Sequence, residues 1–343
     1  MAESYLCDLA NKYRSLSIIG MCKNAGKTTV LNHIIRGMAA SGQTLALTSI
    51  GRDGEAVDLV TGTAKPGIYI YSGSLIATAA DLLDSCDITK EFLLTTGIST
   101  PLGEIVVLRA LSDGYVQLAG PSTVSQLKQL SETFFQLGAD RILIDGAVSR
   151  KTLCSISEAT VLCTGASCGA SMDAVIKETV HVYKMLTLPE INDSALRHFV
   201  KAKKNADGIN YIERIILCGG QRITLPPNMS VEEGLSKHRH NKTSHVYIDG
   251  ALSERLVQSL LLSGAELGGI KLVVYDASKI LISLNDYGKL LLKGSGIQVL
   301  EGVNLLAVTV NPFSAYGNNF DKDNFRALLA EQIKVPVINV EDV

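Results

Sequence analysis

The chain has 343 residues, of which 46% are apolar and 19% charged, with no Trp and a formal charge of −2. That balance excludes a disordered chain, and the near-neutral charge without a long basic run argues against nucleic acid as the main partner. The length suits two domains or one large one, and the weight of Gly, Ala, Leu, Ile and Val suits a parallel sheet covered by helices.

No apolar run reaches the length that spans a bilayer, and residues 1–15 hold no apolar segment flanked by positive charge. Neither membrane insertion nor a secretory signal is expected. Seven cysteines, at positions 7, 22, 86, 154, 163, 168 and 218, form no Cys-x-x-Cys framework. The expectation is reduced thiols in a cytoplasmic protein.

Residues 15–19 form a short apolar run suited to a buried strand. Residues 28–38 then place Val30, Leu31, Ile34, Ile35 and Met38 at helical spacing. Between them lies Gly20-Met21-Cys22-Lys23-Asn24-Ala25-Gly26-Lys27-Thr28-Thr29, which reads as a phosphate-binding P-loop. Backbone N–H groups and a helix N-terminus would converge there on an anion, Lys27 would add a full charge, and the Thr28 hydroxyl would ligate Mg²⁺. The candidate binding set is Gly20, Lys23, Asn24, Ala25, Gly26, Lys27, Thr28 and Thr29; Lys23 is within reach of a phosphate, and Asn24 suits the loop's own turn. One feature departs from the usual Gly-x4-Gly-Lys-Ser/Thr rule: five residues separate Gly20 from Gly26.

A second strand is expected at 44–49, followed by the polar loop Gly51-Arg52-Asp53-Gly54-Glu55. Loops at the carboxyl ends of parallel strands carry ligands in open α/β sheets. Asp53 is therefore a candidate to ligate Mg²⁺ through water or to orient an attacking water, with Glu55 and Asp58 as alternates and a solvated loop acid as the competing account. Further along, the pattern predicts a short strand at 68–72 and a helix at 75–83. Strands at 104–111 and 115–119 follow as a hairpin or neighbours, then an amphipathic helix at 122–137.

Arg141-Ile142-Leu143-Ile144-Asp145-Gly146 reads as a buried strand ending in an acid, about 120 residues beyond Lys27. Asp145 would hold Mg²⁺ as a Walker-B acid does, against the simpler account of a turn-forming Asp-Gly. A strand at 160–164, a glycine loop at 165–171 and a helix at 172–186 follow. The polar stretch 201–210 is the candidate linker between a nucleotide-binding domain (1–200) and a second α/β part (211–343). In that second part, strands are expected at 214–218, 244–248, 271–275, 305–310 and 335–340, and helices at 253–262 and 321–333. The segment 144–149 recurs as 248–253, best explained as two strand ends capped by a turn.

Other features weigh less. Cys22 reads as a small buried thiol ahead of a redox switch. Cys163 and Cys168 lack further ligands at zinc spacing. His238, His240 and His245 sit among Lys237, Arg239 and Lys242 as a solvated basic loop. Asn241-Lys242-Thr243-Ser244 lacks the Asp that reads the guanine amino group in GTPases, which favours ATP over GTP.

The Gly-x5-Gly-Lys-Thr spacing of Gly20 to Thr28, the later Asp145-Gly146-Ala147 and the Thr164-to-Gly169 segment resemble the dethiobiotin synthetase and cobyrinic acid synthase branch of P-loop proteins. The resemblance covers about the first 190 residues. It implies a doubly wound, mostly parallel sheet in which Lys27, Thr28, Asp53 and Asp145 handle ATP and Mg²⁺, and in which Asn311, just before Pro312, reads adenine. The 23–29 segment is also similar to the P-loop of the much shorter molybdopterin-guanine dinucleotide adaptor family. Over the whole chain, 20–29, 144–147, 161–166 and 309–312 resemble a family of anaerobe proteins named as the reactivase subunit of lysine 5,6-aminomutase. That resemblance implies an ATP-using factor that helps exchange damaged cobalamin from a mutase partner, with a co-subunit or self-association left open.

Three readings stand at this point: a slow ATPase acting as accessory factor to a protein partner, an ATP-dependent small-molecule ligase of the synthetase type, and a nucleotide-binding module that hydrolyses little. In the first two, Lys27, Asp53 and Asp145 are the candidate catalytic residues.

Overall fold

The computed structural model describes residues 2–50, 67–147, 156–207, 214–218, 221–238, 243–264 and 266–342. It divides into two compact units, Met1–Val180 with Asn304–Val343, and His181–Val303. The sequence suggests one cut at 201–210; the chain instead returns after residue 303 to complete the first unit.

In chain order the elements are α1 (Ala2–Ala10), β1 (Ser15–Gly20), α2 (Lys27–Ala40), β2 (Leu45–Ser49), β3 (Ile68–Ile70), β4 (Leu75–Ala79), β5 (Lys90–Thr100), β6 (Gly103–Ala110), β7 (Gly114–Val116), α3 (Val124–Gln136), β8 (Arg141–Ala147), β9 (Ala159–Gly165) and α4 (Met172–Leu186). Next come α5 (Ser194–Asp207), β10 (Arg214–Cys218), β11 (Gln221–Leu225), α6 (Val231–Lys237), β12 (Thr243–Ile248), β13 (Leu252–Ser253), α7 (Glu254–Leu262), β14 (Lys271–Val274), β15 (Ile280–Leu281), α8 (Leu284–Leu292) and β16 (Gly296–Val299). The chain closes with β17 (Leu305–Asn311), α9 (Lys322–Ala330) and β18 (Val337–Asn339).

Both units are α/β. Among the described residues the first holds a nine-stranded sheet in the order β18-β17-β9-β1-β8-β2-β4-β6-β5. It is parallel from β18 to β4, and β6 and β5 then add antiparallel pairings. β1 lies between β8 and β9, so its side chains are buried almost throughout; even Ser17 is fully buried, its hydroxyl 2.9 Å from the Thr160 hydroxyl of β9. The stripe Val30, Leu31, Ile34, Ile35 and Met38 of α2 packs into the core of this sheet. Burying each such side chain contributes roughly 1.5–3 kcal/mol, which fixes the helix against the strands it follows.

The second unit holds the five-stranded sheet β11-β10-β12-β14-β16, parallel across β12, β14 and β16 and antiparallel at β10 and β11. The repeated segment ends differently in its two copies. Asp145 lies inside β8, whereas Asp249 follows β12, accepts a hydrogen bond from the Tyr247 hydroxyl at 3.0 Å, and leads to Ser253, the cap of α7. No described helix is long and apolar enough to cross a membrane.

Three expected elements differ. The 75–83 helix is instead β4 followed by a 3-10 turn at Ala80–Ser85. All five β4 side chains are buried and both its edges are paired, so sheet packing overrides the helical preference of Ala and Leu. The 104–111 and 115–119 strands form no hairpin: β6 pairs with β4 and β5, while β7 pairs with β3. The 201–210 linker is largely the end of α5. Leu196, Phe199 and Val200 line one face of that helix, the Asp193 carboxylate caps its start by accepting from Leu196 N–H at 2.8 Å, and Lys201 belongs to its solvated side.

Candidate functional site

β1 and β9 are neighbours, but the chain continues from β1 to β2 on one side and from β9 to its next strand in this sheet, β17, on the other, so the strand order reverses between them. Loops leaving such a point diverge and leave a crevice in which ligands bind in open α/β sheets. The loop after β1 occupies this position. Its first residue stays in the ladder, with Met21 N–H donating to the Cys163 carbonyl at 2.9 Å. Asn24 (φ 61°) and Gly26 (φ 87°) take left-handed backbone conformations, which turn the chain back into α2.

α2 starts with its N-terminus open. Gly26 has no side chain with which to cap the helix, and the first turn carries no acidic residue. The first N–H groups of a helix lack intrahelical partners and carry the positive end of its dipole, so this end favours an anion. Lys27 adds charge to the same place. A Cβ built on Gly20 would meet Lys27 Cδ at 2.5 Å and Cγ at 2.7 Å, so the lysine stem arches back over Gly20. Glycine at position 20 is what makes that path available.

Asp145 lies on β8 in register with Ile18 of β1 and Ser49 of β2, and its carbonyl accepts from Ile50 N–H at 3.1 Å. Lys27 and Asp145 act on one common neighbour, the wholly buried Cys163 thiol. Burial pushes that thiol up to about 12, while the Thr309 hydroxyl and the Lys27 ammonium pull it down and the Asp145 carboxylate raises it further. The Lys27 ammonium and the Asp145 carboxylate therefore both lie near enough to Cys163 of β9 to act on its charge. Thr28 is half-buried in the first turn of α2 and Thr29 is exposed beside it. Lys23 is exposed and Ala25 buried.

Asn311, at the end of β17, braces the loop. Its Nδ2 donates to the Asn24 carbonyl at 2.9 Å, and its Oδ1 accepts from Phe313 N–H at 3.1 Å. The amide expected to read adenine is thus engaged at both ends, by Nδ2 with the 20–29 loop and by Oδ1 with its own turn. Asp53, Glu55 and Asp58 lie outside the described residues. His245 sits on strand β12 and not in a solvated loop, with Nε2 3.0 Å from Gln298 Oε1, and burial holds its pKa below the ordinary value; Arg239, His240 and Lys242 lie outside the described residues.

The cysteine expectation needs correction. Cys22 is joined to Cys168 by a disulfide, with Cα atoms 5.3 Å apart and 146 residues between them in the chain. The loops after β1 and β9 meet at the crevice, and residue spacing along the chain cannot report that meeting. Cys7, Cys86 and Cys163 are free and buried. Two further contacts had no sequence signal: Thr179 of α4 donates through Oγ1 to the Met21 sulfur at 3.3 Å, and Val340 Cγ1 lies 2.9 Å from where a Gly26 Cβ would stand. No protein-family model, curated protein or solved structure matches this chain.

Proposed function

We propose that this protein binds Mg-ATP at the 20–29 loop, hydrolyses it slowly, and serves as an accessory or reactivating factor for a protein partner. The observation that carries the nucleotide reading is the arch of Lys27 over Gly20 at an uncapped, acid-free helix start, with the Asp145 carboxylate on the adjoining strand. That combination fits a polyphosphate and its metal ion. The loop N–H groups would donate to phosphate oxygens, the Lys27 ammonium would hold the outer phosphates, and the Thr28 hydroxyl and Asp145 carboxylate would hold Mg²⁺. When bound, the metal would neutralise charge on the phosphate oxygens during transfer. The glycine loop after β1 and the acid on its neighbour β8 support the P-loop, doubly wound reading.

The accessory role rests on the resemblance to the aminomutase reactivase subunit and on a second α/β unit without a recognisable substrate motif. A synthetase-type ligase is the second reading, favoured by the order of Gly20–Thr28, Asp145-Gly146-Ala147 and the glycine loop after β9. Phosphate release from Mg-ATP separates the two. Acceleration by a B12-dependent aminomutase supports the first, and acceleration by a small carboxylate with no protein partner supports the second. Lys27→Ala is expected to abolish nucleotide binding under either; unchanged affinity would refute the site.

A further inference from the structure

The disulfide between Cys22 and Cys168 crosses the β1/β9 crevice and fastens the loop that precedes α2. Both cysteines are half-buried at the edge of the core, unlike the fully buried Cys163. The anchor at Cys168 is itself fixed. Ala315 N–H donates to Ser167 Oγ at 3.1 Å, and Asn318 Nδ2 donates to the Gly169 carbonyl at 3.1 Å. On the other flank of the loop, Asn311 holds the Asn24 carbonyl. The loop is therefore tied at its first part by a covalent bond and at Asn24 by a hydrogen bond. Only the covalent tie can be opened by redox chemistry without unfolding anything.

We propose that the Cys22–Cys168 disulfide is a redox-sensitive clamp on the anion-binding loop, which a small dithiol opens to weaken nucleotide binding. The inference rests on the nucleotide reading above. The clamp works by ordering the segment in advance: residues 22–26 must present their N–H groups in one arrangement, and a loop already so arranged loses less freedom when the ligand arrives. In the opening step a thiolate of the dithiol attacks one of the two sulfurs and forms a mixed disulfide, and the other cysteine leaves as a thiolate. The second thiol of the reagent then displaces the remaining cysteine. The reagent ends as a cyclic disulfide, having given two electrons and two protons to Cys22 and Cys168.

The test uses the full chain, air-oxidised or treated with dithiothreitol. Alkylation of the denatured protein followed by intact mass should show two fewer labels on the oxidised form. Calorimetric titration with Mg-ATP should then show a dissociation constant about fivefold higher after reduction, the effect of losing one ordering constraint. Cys168→Ser and Cys22→Ser, each checked for a cooperative melting transition like that of the reduced parent chain, should bind like the reduced chain in both buffers. An affinity that stays within about twofold on reduction, or that tightens, overturns the clamp. So does redox sensitivity that survives in both variants, or equal label counts. Failure of Mg-ATP to bind in either state, with the label difference intact, would overturn the nucleotide reading instead, so the two failures are distinct.

Discussion

Gly20→Ala separates the two things the glycine loop does, folding and binding. Gly20 ends β1 in extended backbone that alanine also adopts, so the backbone itself tolerates the change. The new methyl meets Lys27 Cδ, Cγ and Cε at 2.5, 2.7 and 3.3 Å. These are middle atoms of a flexible chain, which can swing aside at a cost to stability of about 1 kcal/mol or less. What is lost is the path over the loop that carries the ammonium toward the anion. A charge-assisted hydrogen bond contributes about 1.5–3 kcal/mol, so Mg-ATP affinity should fall roughly 10- to 150-fold. Gly26→Ala is the contrasting change. At φ 87° a side chain costs about 1–2 kcal/mol, and the methyl would stand 2.9 Å from Val340 Cγ1, so stability and binding should fall together. Calorimetric titration and thermal unfolding of both variants read the two quantities. Gly20→Ala with wild-type affinity and an unchanged melting point would show that Lys27 does not act from above Gly20, and the proposed site would lose its main support.

Two further outcomes follow from named contacts. Asn311→Ala removes the brace on Asn24, so affinity for ATP and GTP should drop by a similar factor, about fivefold; a loss confined to ATP would instead assign the amide to adenine. In the second unit, Asp286 is held below the ordinary carboxylate range chiefly by the Gln258 amide at 3.2 Å, then by the Lys289 ammonium at 3.2 Å and by Ser283. Its folded value lies below its unfolded one, so the stability it contributes is complete above about pH 4 and is lost as pH falls through the depressed folded value. Melting temperatures followed from about pH 6 to pH 2 should therefore fall less steeply for Asp286→Asn than for the parent chain, and parallel acid limbs would count against the assignment.

The elements that build the crevice were legible because each is buried on all sides or strictly periodic. β1, β8 and β9 are short apolar runs, and α2 and α4 carry stripes at helical spacing. β5 was missed for a definite reason. Its pairing with β6 shifts register between Phe92 and Leu94 and again between Thr95 and Ser99, around Gly97 at φ 72°. Bulges of this kind break the two-residue alternation by which a strand is read, and they are common at exposed edges. The 201–210 segment misled in the opposite way: the exposed Lys201 lies on the wet face of α5, whose apolar face lies upstream at Leu196, Phe199 and Val200. At the proposed site, Lys27 and Asp145 were singled out from local pattern alone. The disulfide and the Asn311 brace depend on which loops the topology brings together, and no window of sequence contains both partners.

The five-residue gap between Gly20 and Gly26 has a structural explanation in the ladder. The last strand pair is Gly20 with Cys163, and Met21 N–H completes it by donating to the Cys163 carbonyl at 2.9 Å. What remains between the ladder and Gly26 is Cys22, Lys23, Asn24 and Ala25, four residues, the number that the usual phosphate loop places between its glycines. The N–H of the additional residue is thus held by the ladder, and four residues without that tie remain before Gly26. That residue also sets which positions are tied. Cys22 stands first after the ladder, beside the loop that follows β9, and Asn24 stands third, where its left-handed backbone turns its carbonyl to Asn311. The two ties alternate with Lys23, which is exposed, and Ala25, which is buried. Deleting Met21 would restore the common spacing on paper. It would also move Cys22 into the ladder position and pull the disulfide out of register, so the longer spacing and the clamp belong to one design.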